Sequence, residues 1–374
     1  MSQAWLRVGG GVAAFALVSI VGIAGLVGVA ADRALESWAL VTIVAVPAGL
    51  IAYALVEYLQ TRRFDSITRQ FDTRTVVLIP VAMALNIVLG TAVASALKIP
   101  LYLDSIGTIL VAALAGPLAG ALTGFLSNLV WTYLAPPPFQ SPFAAPFAIV
   151  AVVIGLLAGT FARWGWLRPR PGASGRQLAV GAVVSIGLIA ILALLAVRVW
   201  LLTGEGADVA PESDEAAFLI LGWLAMILVV GTGIGLLVLL VRRRDLAVAS
   251  ILAAGVITGI VAAFIAAPIA ANLFGGVTGS GTDFLVALFR QAGADLYQAV
   301  LGQSLVSDSI DKVITYFVVY LVIGAMAVRL IARFPQGELL LARPASGSAE
   351  IERSELGEPM TRQDAPGAED EVAR

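Results

Sequence analysis

The chain has 374 residues, of which 59% are hydrophobic and only 13% are charged. Soluble globular domains have about 45–50% apolar and about 25% charged residues, so this composition excludes an ordinary soluble protein. The sequence contains neither His nor Cys, which excludes Ser-His and Cys-His catalysis, thiol redox chemistry, disulfides and metal sites with His or Cys ligands. We therefore expect a membrane protein that is not an enzyme and uses no cofactor.

Apolar stretches recur along the chain, and crossing a bilayer requires about 20 such residues. The stretches lie at 8–30, 38–60, 78–97, 104–115, 117–134, 145–164, 178–202, 216–241, 247–270 and 309–333. The run 104–134 is divided at Gly116-Pro117, because proline removes a helix donor and clashes with the preceding turn; one long kinked helix is the alternative. We predict an all-α integral membrane protein with about ten transmembrane helices.

The charged residues predict the orientation of these helices. Arginines are concentrated in the loops 61–77, 163–177 and 242–246, whereas the loop 203–215 carries five acidic residues. Arg-rich short loops face the cytoplasm, so both termini are predicted to be cytoplasmic in a multi-pass protein of the bacterial cell membrane. Alternatively, the first stretch could be a cleaved signal peptide, because Gly28-Val29-Ala30 is typical of a cleavage site.

The C-terminal residues differ in composition from the rest of the chain. Residues 335–374 contain nine acidic residues and four arginines, with few large apolar side chains. Such a segment cannot bury enough apolar surface to offset the entropy of ordering it, so we predict a disordered acidic cytoplasmic tail. The sequence has no basic face that would indicate a nucleic-acid partner.

Polar residues inside apolar stretches are the candidates for a binding site, because polar groups in lipid are costly and usually face a cavity or bundle interior. Together with the nearby aromatic residues and the glycine-rich loop 272–283, the candidates are Asn86, Tyr102, Asp104, Asn128, Trp131, Tyr133, Asn272, Thr278, Ser280 and Asp308. Nearly all fall at or near the predicted outer ends of their segments. Rings, amides and carboxylates that converge in this way are typical of a small-molecule pocket.

Structural interpretations remain open for several candidates. Asp104 and Asp308 each begin an Asp-Ser-Ile run, where an N-cap role is common, and Asp308 is spaced to pair with Lys312. Asn86 could bond a neighbouring helix. Trp131, with Tyr133, could belong to an aromatic belt.

Two polar segments near the C-terminal end of the apolar region also have predicted roles. The glycine-rich loop 272–283 could cradle an anion with its backbone N–H groups, which is an alternative to a lid over a pocket. The segment 284–306 is amphipathic and is predicted to lie at the outer membrane interface.

Two blocks of the sequence resemble a known family. The first block runs from Ile99-Pro100-Leu101-Tyr102-Leu103-Asp104-Ser105 through Ala115-Gly116-Pro117-Leu118-Ala119-Gly120 to Ser127-Asn128-Leu129. The second block covers 267–282. They resemble the substrate-binding S components of energy-coupling factor (ECF) transporters. The resemblance implies a six-helix module that binds a vitamin-like small molecule from outside the cell. It also implies two kinds of partner, a transmembrane coupling subunit and cytoplasmic ATPase subunits, which would supply the energy.

This resemblance divides the chain into regions. Residues 76–164 and 247–334 would form the S-component-like core, and 165–246 would be an inserted two-helix hairpin. Residues 1–75 would add an N-terminal hairpin and an Arg-rich cytoplasmic loop. The alternative functions are a self-sufficient secondary transporter, which ten spans would suit, and a membrane sensory or scaffold protein.

Overall fold

The computed structural model describes residues 2–25, 31–96, 101–170, 244–291 and 293–341, together with part of the stretch 174–242. Every regular element in these residues is helical, which confirms the predicted all-α class. Most of the predicted hairpin within 165–246 and residues 342–374 of the predicted tail lie outside the described residues.

Outside the partly described stretch 174–242, the described residues form twelve α-helices. In chain order they are α1 (Ser2–Gly25), α2 (Ala31–Thr61), α3 (Asp65–Thr68), α4 (Thr73–Gly90), α5 (Ile106–Ala115), α6 (Pro117–Tyr133), α7 (Ala148–Arg163), α8 (Ala247–Phe274), α9 (Asp283–Gln291), α10 (Leu296–Ala325), α11 (Val328–Ile331) and α12 (Gly337–Leu340). A π-helical turn, Thr91–Ala96, extends α4, and a 3-10 turn, Ala145–Phe147, precedes α7.

Four of the described segments are long and apolar enough to cross a membrane. They are Leu40–Thr61, Thr73–Val93, Ala145–Arg163 and Ala247–Phe274. Leu6–Gly22, Ile106–Ala115 and Gly231–Leu240 are shorter apolar helices. These segments are compatible with a multi-pass membrane protein, whereas the count of ten spans and the six-helix core are not confirmed.

One face of α4 shows the kind of surface that lipid would cover. Val77 is 66% exposed and Val81 is 62% exposed, and Val88 on the same helix is also exposed. Large apolar patches on the outside of a water-soluble domain are rare, but in a bilayer such side chains are solvated by the acyl chains.

The break between α5 and α6 occurs at Gly116, as predicted. Gly116 has a φ of +130°, a conformation that glycine adopts without steric penalty, and Pro117 begins α6 at a position where its missing N–H is not needed. The Gln70 side chain closes the turn, because its Oε1 accepts a hydrogen bond from the Leu118 N–H at 2.8 Å. Helix α5 thus turns back after only 10 residues, and all of them except Leu110 are buried.

The most extensive helix pairing is that of α8 with α10. Gly255 and Gly259, four residues apart on α8, lie directly against the α10 backbone, so that a Cβ atom at Gly259 would be 2.5 Å from the Ser309 Cα. Thr258 lies between them and shares a hydrogen bond of 3.1 Å with the Tyr316 hydroxyl. Small residues at this spacing let two helices approach closely within a membrane.

Helix α10 begins 13 residues earlier than the predicted apolar stretch 309–333 and ends at Ala325. Its start is fixed by a capping box in which Asp295 and Gln298 satisfy each other's backbone N–H groups. The predicted amphipathic segment 284–306 is therefore divided between α9 and the first turns of α10. Its polar residue Gln303 is buried in the bundle, which a plot of apolar stretches could not indicate.

The Arg-rich loops gather at the end of the bundle where α5 meets α6. The Arg74 guanidinium donates to the Arg333 carbonyl at 3.1 Å, and that of Arg168 donates to the Leu339 carbonyl at 2.8 Å. Gln336 donates its backbone N–H to Leu114 near the α5 terminus at 2.8 Å. Residues 336–341, which fall within the predicted tail, are thus part of the packed bundle, and Leu340 is 1% exposed.

The N-terminal hairpin of α1 and α2 reaches the same end. Arg7 forms an ion pair with the buried Glu57 at 3.0 Å, and Glu57 also accepts hydrogen bonds from the Ser66 backbone and hydroxyl. Earlier in α2, Val46 belongs to an apolar cluster that includes Phe125 of α6 and Val152 of α7. The hairpin therefore lies alongside α6 and α7.

Candidate functional site

A cavity of about 130 Å³ lies at the opposite end of the bundle from the Arg-rich loops. Its walls come from α6, α7, α8 and α10, from the loops 101–105 and 276–283, and from the segment 141–147 before α7. Seven of the ten sequence-predicted site residues line it, namely Tyr102, Asp104, Asn128, Trp131, Thr278, Ser280 and Asp308. The chain thus brings together residues up to about 200 positions apart in the sequence.

The loop before α5 is held in place by Asp311 of α10. One carboxylate oxygen of Asp311, Oδ1, accepts hydrogen bonds from the backbone N–H groups of Tyr102 and Leu103, at 3.1 and 2.7 Å. Leu103 has a φ of +50°, a conformation that costs energy for a residue with a Cβ atom. The two hydrogen bonds to a fully buried carboxylate offset that cost and fix one wall of the cavity.

The ammonium group of Lys312 connects the same loop to α10. Its Nζ lies 2.5 Å from Oδ2 of Asp311 and 3.6 Å from Oδ1 of Asp104. It also donates a hydrogen bond of 2.8 Å to the Ser105 hydroxyl. The ion pairs of Lys312 are therefore with its chain neighbour and with the loop. The predicted pairing with Asp308, one helical turn away, is not among the ion pairs of the described residues.

Two polar side chains on α10 remain without partners in the cavity wall. Asp308 is 6% exposed and makes no hydrogen bond or ion pair within the described part of the chain. Gln303 is 4% exposed, and its Nε2 atom has no hydrogen-bond partner. Buried polar groups are nearly always hydrogen-bonded in folded proteins, so these two side chains are candidates for contact with a ligand.

The glycine-rich loop is organised around its own acidic residue. The Asp283 carboxylate accepts hydrogen bonds from the Thr278 N–H and hydroxyl, both at 2.9 Å, and from the Gly279 N–H at 2.7 Å. These N–H groups are the ones that an anion would need. An internal carboxylate thus occupies these two donors, and the anion-cradle interpretation would have to rest on the other N–H groups of the loop.

Tyr102 joins the loop before α5 to the glycine-rich loop across the top of the cavity. Its hydroxyl shares a hydrogen bond of 2.8 Å with the Thr282 hydroxyl, which in turn lies 2.6 Å from that of Ser280. A phenol is protonated at physiological pH, so this closure is intact there.

Aromatic rings form the opposite wall. Trp131 is held by a hydrogen bond of 2.7 Å from its indole N–H to the Phe139 carbonyl. Phe143 and Phe147 from the loop and turn before α7 both pack on Phe274, at centroid distances of 5.2 and 5.8 Å. Since each ring is fixed by a neighbour, the wall presents a preformed apolar surface.

Asn128 adds an amide to this wall. Its Nδ2 donates to the Gly124 carbonyl at 3.1 Å, while its Oδ1 accepts no hydrogen bond from another described residue. The carbonyl oxygen is thus available to a donor in the cavity.

Three predicted residues lie away from the cavity. Tyr133 is 52% exposed and Asn272 is exposed at the end of α8. Asn86 is buried between helices, where it donates to Thr108 and Ser127 at 2.9 and 3.1 Å and accepts from the Gly107 N–H at 2.7 Å. These contacts match the structural interpretation of Asn86, which ties α4 to α5 and α6.

Replacing Asn86 with leucine is expected to lower the free energy of unfolding by about 1–3 kcal/mol, because it leaves the buried Gly107 N–H without an acceptor. Thermal unfolding of the purified protein in detergent would measure the loss. The matched change of the exposed Asn272 to leucine should stay within about 0.5 kcal/mol. Equal effects of the two changes would contradict the assigned role of Asn86.

The structure adds lining residues that were not among the predicted site residues, notably Gln303, Lys312 and Phe147. Lys312 carried a signal, since a lysine inside an apolar stretch needs a partner. Gln303 lay in a segment whose amphipathic pattern favoured the membrane surface, and Phe147 is one apolar residue among many.

Oxygen ligands for a metal are not grouped in this region: no set of three acidic side chains in the described ranges is arranged to bind a metal ion. Comparisons of the chain with protein-family models, with curated proteins and with solved structures gave no match.

Proposed function

We propose that the protein is the substrate-capture subunit of an ECF-type importer, which binds a vitamin-like small molecule and passes it on with the help of partner subunits. The observation that carries this proposal is the cavity at one end of the helical bundle. It combines fixed aromatic rings with polar groups that lack partners, and small-molecule sites have this composition.

The distribution of arginine supports an outward-facing cavity. The Arg-rich loops meet at the end of the bundle where α5 joins α6, while the cavity is at the other end. Because Arg-rich short loops stay in the cytoplasm, the cavity would open towards the outside of the cell. Capture from outside requires this arrangement.

The assignment to the ECF type rests on the resemblance of the two sequence blocks, and both blocks contribute to the cavity. Tyr102, Asp104 and Asn128 belong to the first block, and Thr278 and Ser280 belong to the second. On this proposal the protein itself hydrolyses nothing, and the energy for transport comes from ATPase partners bound through a coupling subunit.

The test is to purify the tagged full-length protein from its native membrane and to identify both the proteins and the small molecules that it retains. We expect a coupling subunit, ATPase subunits and one retained small molecule. The change of Asn128 to alanine should reduce that small molecule at least about tenfold, the effect of about 1.4 kcal/mol. The same change at Asn272, which lies away from the cavity, should leave it unchanged.

Two results would contradict the proposal in different ways. Equal retention in the Asn128 and Asn272 variants would show that the cavity is not the binding site. Retention without ATPase partners, combined with uptake into vesicles that needs no ATP, would exclude the importer subunit and favour a self-sufficient transporter.

A further inference from the structure

The polar groups of the cavity differ in whether the protein itself satisfies them. Asp283 is occupied by three donors of the glycine-rich loop, and Asp311 by two backbone N–H groups and Lys312. Lys312 is in turn occupied by Asp311, by Asp104 and by the Ser105 hydroxyl. Lys312, the one lysine among the described residues of the cavity wall, is therefore already neutralised from within the fold.

Asp308 is the acidic residue that this internal pairing leaves without a partner. It lines the cavity, is 6% exposed and has no hydrogen bond or ion pair with the rest of the described chain. A buried carboxylate without a partner is costly, and an arriving cation would remove that cost. An arriving anion would instead face an excess of acidic groups.

Gln303 is a second, independent observation at the same wall. Its buried Nε2 has no hydrogen-bond partner, although its Oε1 accepts a hydrogen bond of 3.4 Å from the Ser304 hydroxyl. An amide N–H group of this kind requires an acceptor. The ligand should therefore carry an acceptor atom in addition to its positive charge.

The aromatic wall also restricts the size and shape of the ligand. Trp131, Phe143 and Phe147 border a space of about 130 Å³, which suits a single small ring system. Aromatic faces attract cations, and the attraction is stronger when the pair is shielded from water. The rings and Asp308 therefore favour the same charge on the ligand.

We propose that the cavity selects a small aromatic cation, in which a protonated nitrogen pairs with Asp308 and a hydrogen-bond acceptor faces Gln303. This inference rests on the proposed capture function, since it names the class of molecule that is captured. It is independent of which subunits power the transport.

The test compares three probes that share one ring and differ in charge: isonicotinamidine, a cation, isonicotinamide, which is neutral, and isonicotinate, an anion. Each is titrated calorimetrically into the purified full-length protein at neutral pH. We expect the cation to bind at least about tenfold more tightly than the neutral amide, a difference of about 1.4 kcal/mol, and the anion to bind most weakly.

Variants of Asp308 and Gln303 test whether these residues determine the affinities for the probes. In D308N the preference for the cation should disappear, with its affinity falling to that of the amide. In Q303L all three affinities should fall together while their order is kept, because the acceptor contact is common to the three probes. Melting temperatures of both variants show whether they remain folded, and the order of the probes in the unmodified protein is a test that needs no variant.

Equal affinity for the three probes, a preference for the anion, or no binding of the cation up to about 1 mM, the weak end of measurable affinity, would overturn the inference. These outcomes are separate from failure of the capture function. A retained small molecule that depends on Asn128, found together with no preference for the cation, would keep capture and exclude this ligand class.

Discussion

Replacing Asp311 with asparagine is expected to lower the free energy of unfolding by about 3–5 kcal/mol, the usual cost of removing one partner from a buried ion pair. Asp311 is fully buried and Lys312 is 3% exposed, so the lysine would lose its nearest counter-ion without gaining water. The asparagine oxygen can still accept the N–H groups of Tyr102 and Leu103, but its NH2 group then faces the Lys312 ammonium, so the change removes both the negative charge and the acceptor of Lys312. Chemical unfolding in detergent micelles would measure it.

A second change provides the decisive control. The double variant D311N/K312M removes both charges together and should recover most of the lost stability, because the unpaired buried cation is the main source of the loss. The same chemical change at the exposed Glu338, to glutamine, should stay within about 0.5 kcal/mol. If the double variant is as unstable as D311N, the ion pair does not have the importance assigned to it.

Replacing Gly259 with alanine is expected to lower the free energy of unfolding by about 1–3 kcal/mol, the typical cost of overpacking. The added Cβ would meet the Ser309 Cα at 2.5 Å and the Asp308 carbonyl at 2.6 Å, and α10 must move to accommodate it. The displaced segment carries Asp308, so we also expect weaker retention of the small molecule by the fraction that remains folded.

The matched control for Gly259 is Gly9 in the interior of α1, where an added Cβ would meet nothing within 4 Å. The alanine change there should be neutral or should stabilise by up to about 1 kcal/mol, the difference in helix propensity. Comparing melting temperatures and the yield of monodisperse protein separates packing from propensity. Destabilisation of both variants by the same amount would exclude close helix packing as the cause.

Local chemistry decided which parts of the fold could be predicted from the sequence. The break at Gly116-Pro117 was predictable because proline and glycine act through their own backbone geometry. The start of α10 was missed, since its capping box at Asp295 lies in a polar segment where apolar periodicity gives no boundary. The close approach of α8 and α10 requires that Gly255 and Gly259 face α10. Which helix they face is decided by the packing of the two helices and cannot be read from the sequence of α8 alone.

The candidate site shows the same division. Asp104, Asn128 and Asp308 were found because a polar group within an apolar stretch needs a reason, and all three line the cavity. Asn86 met the same criterion, yet its partners Thr108 and Ser127 are on neighbouring helices. Burial cost identifies residues that need partners, but it does not tell whether the protein or a ligand supplies them.

The brevity of α5 determines how deep the cavity lies. Ten residues at about 1.5 Å each cover about 15 Å, or half of a hydrocarbon layer about 30 Å thick. On the proposed orientation, with the Arg-rich end at one membrane surface, the loop 101–105 would lie near the bilayer midplane, and α8 and α10, with 28 and 30 residues, would extend past it. A molecule that reaches Asp308 would then lose part of its hydration shell on the way, so the cost of dehydration would help to select the ligand before any contact with the site.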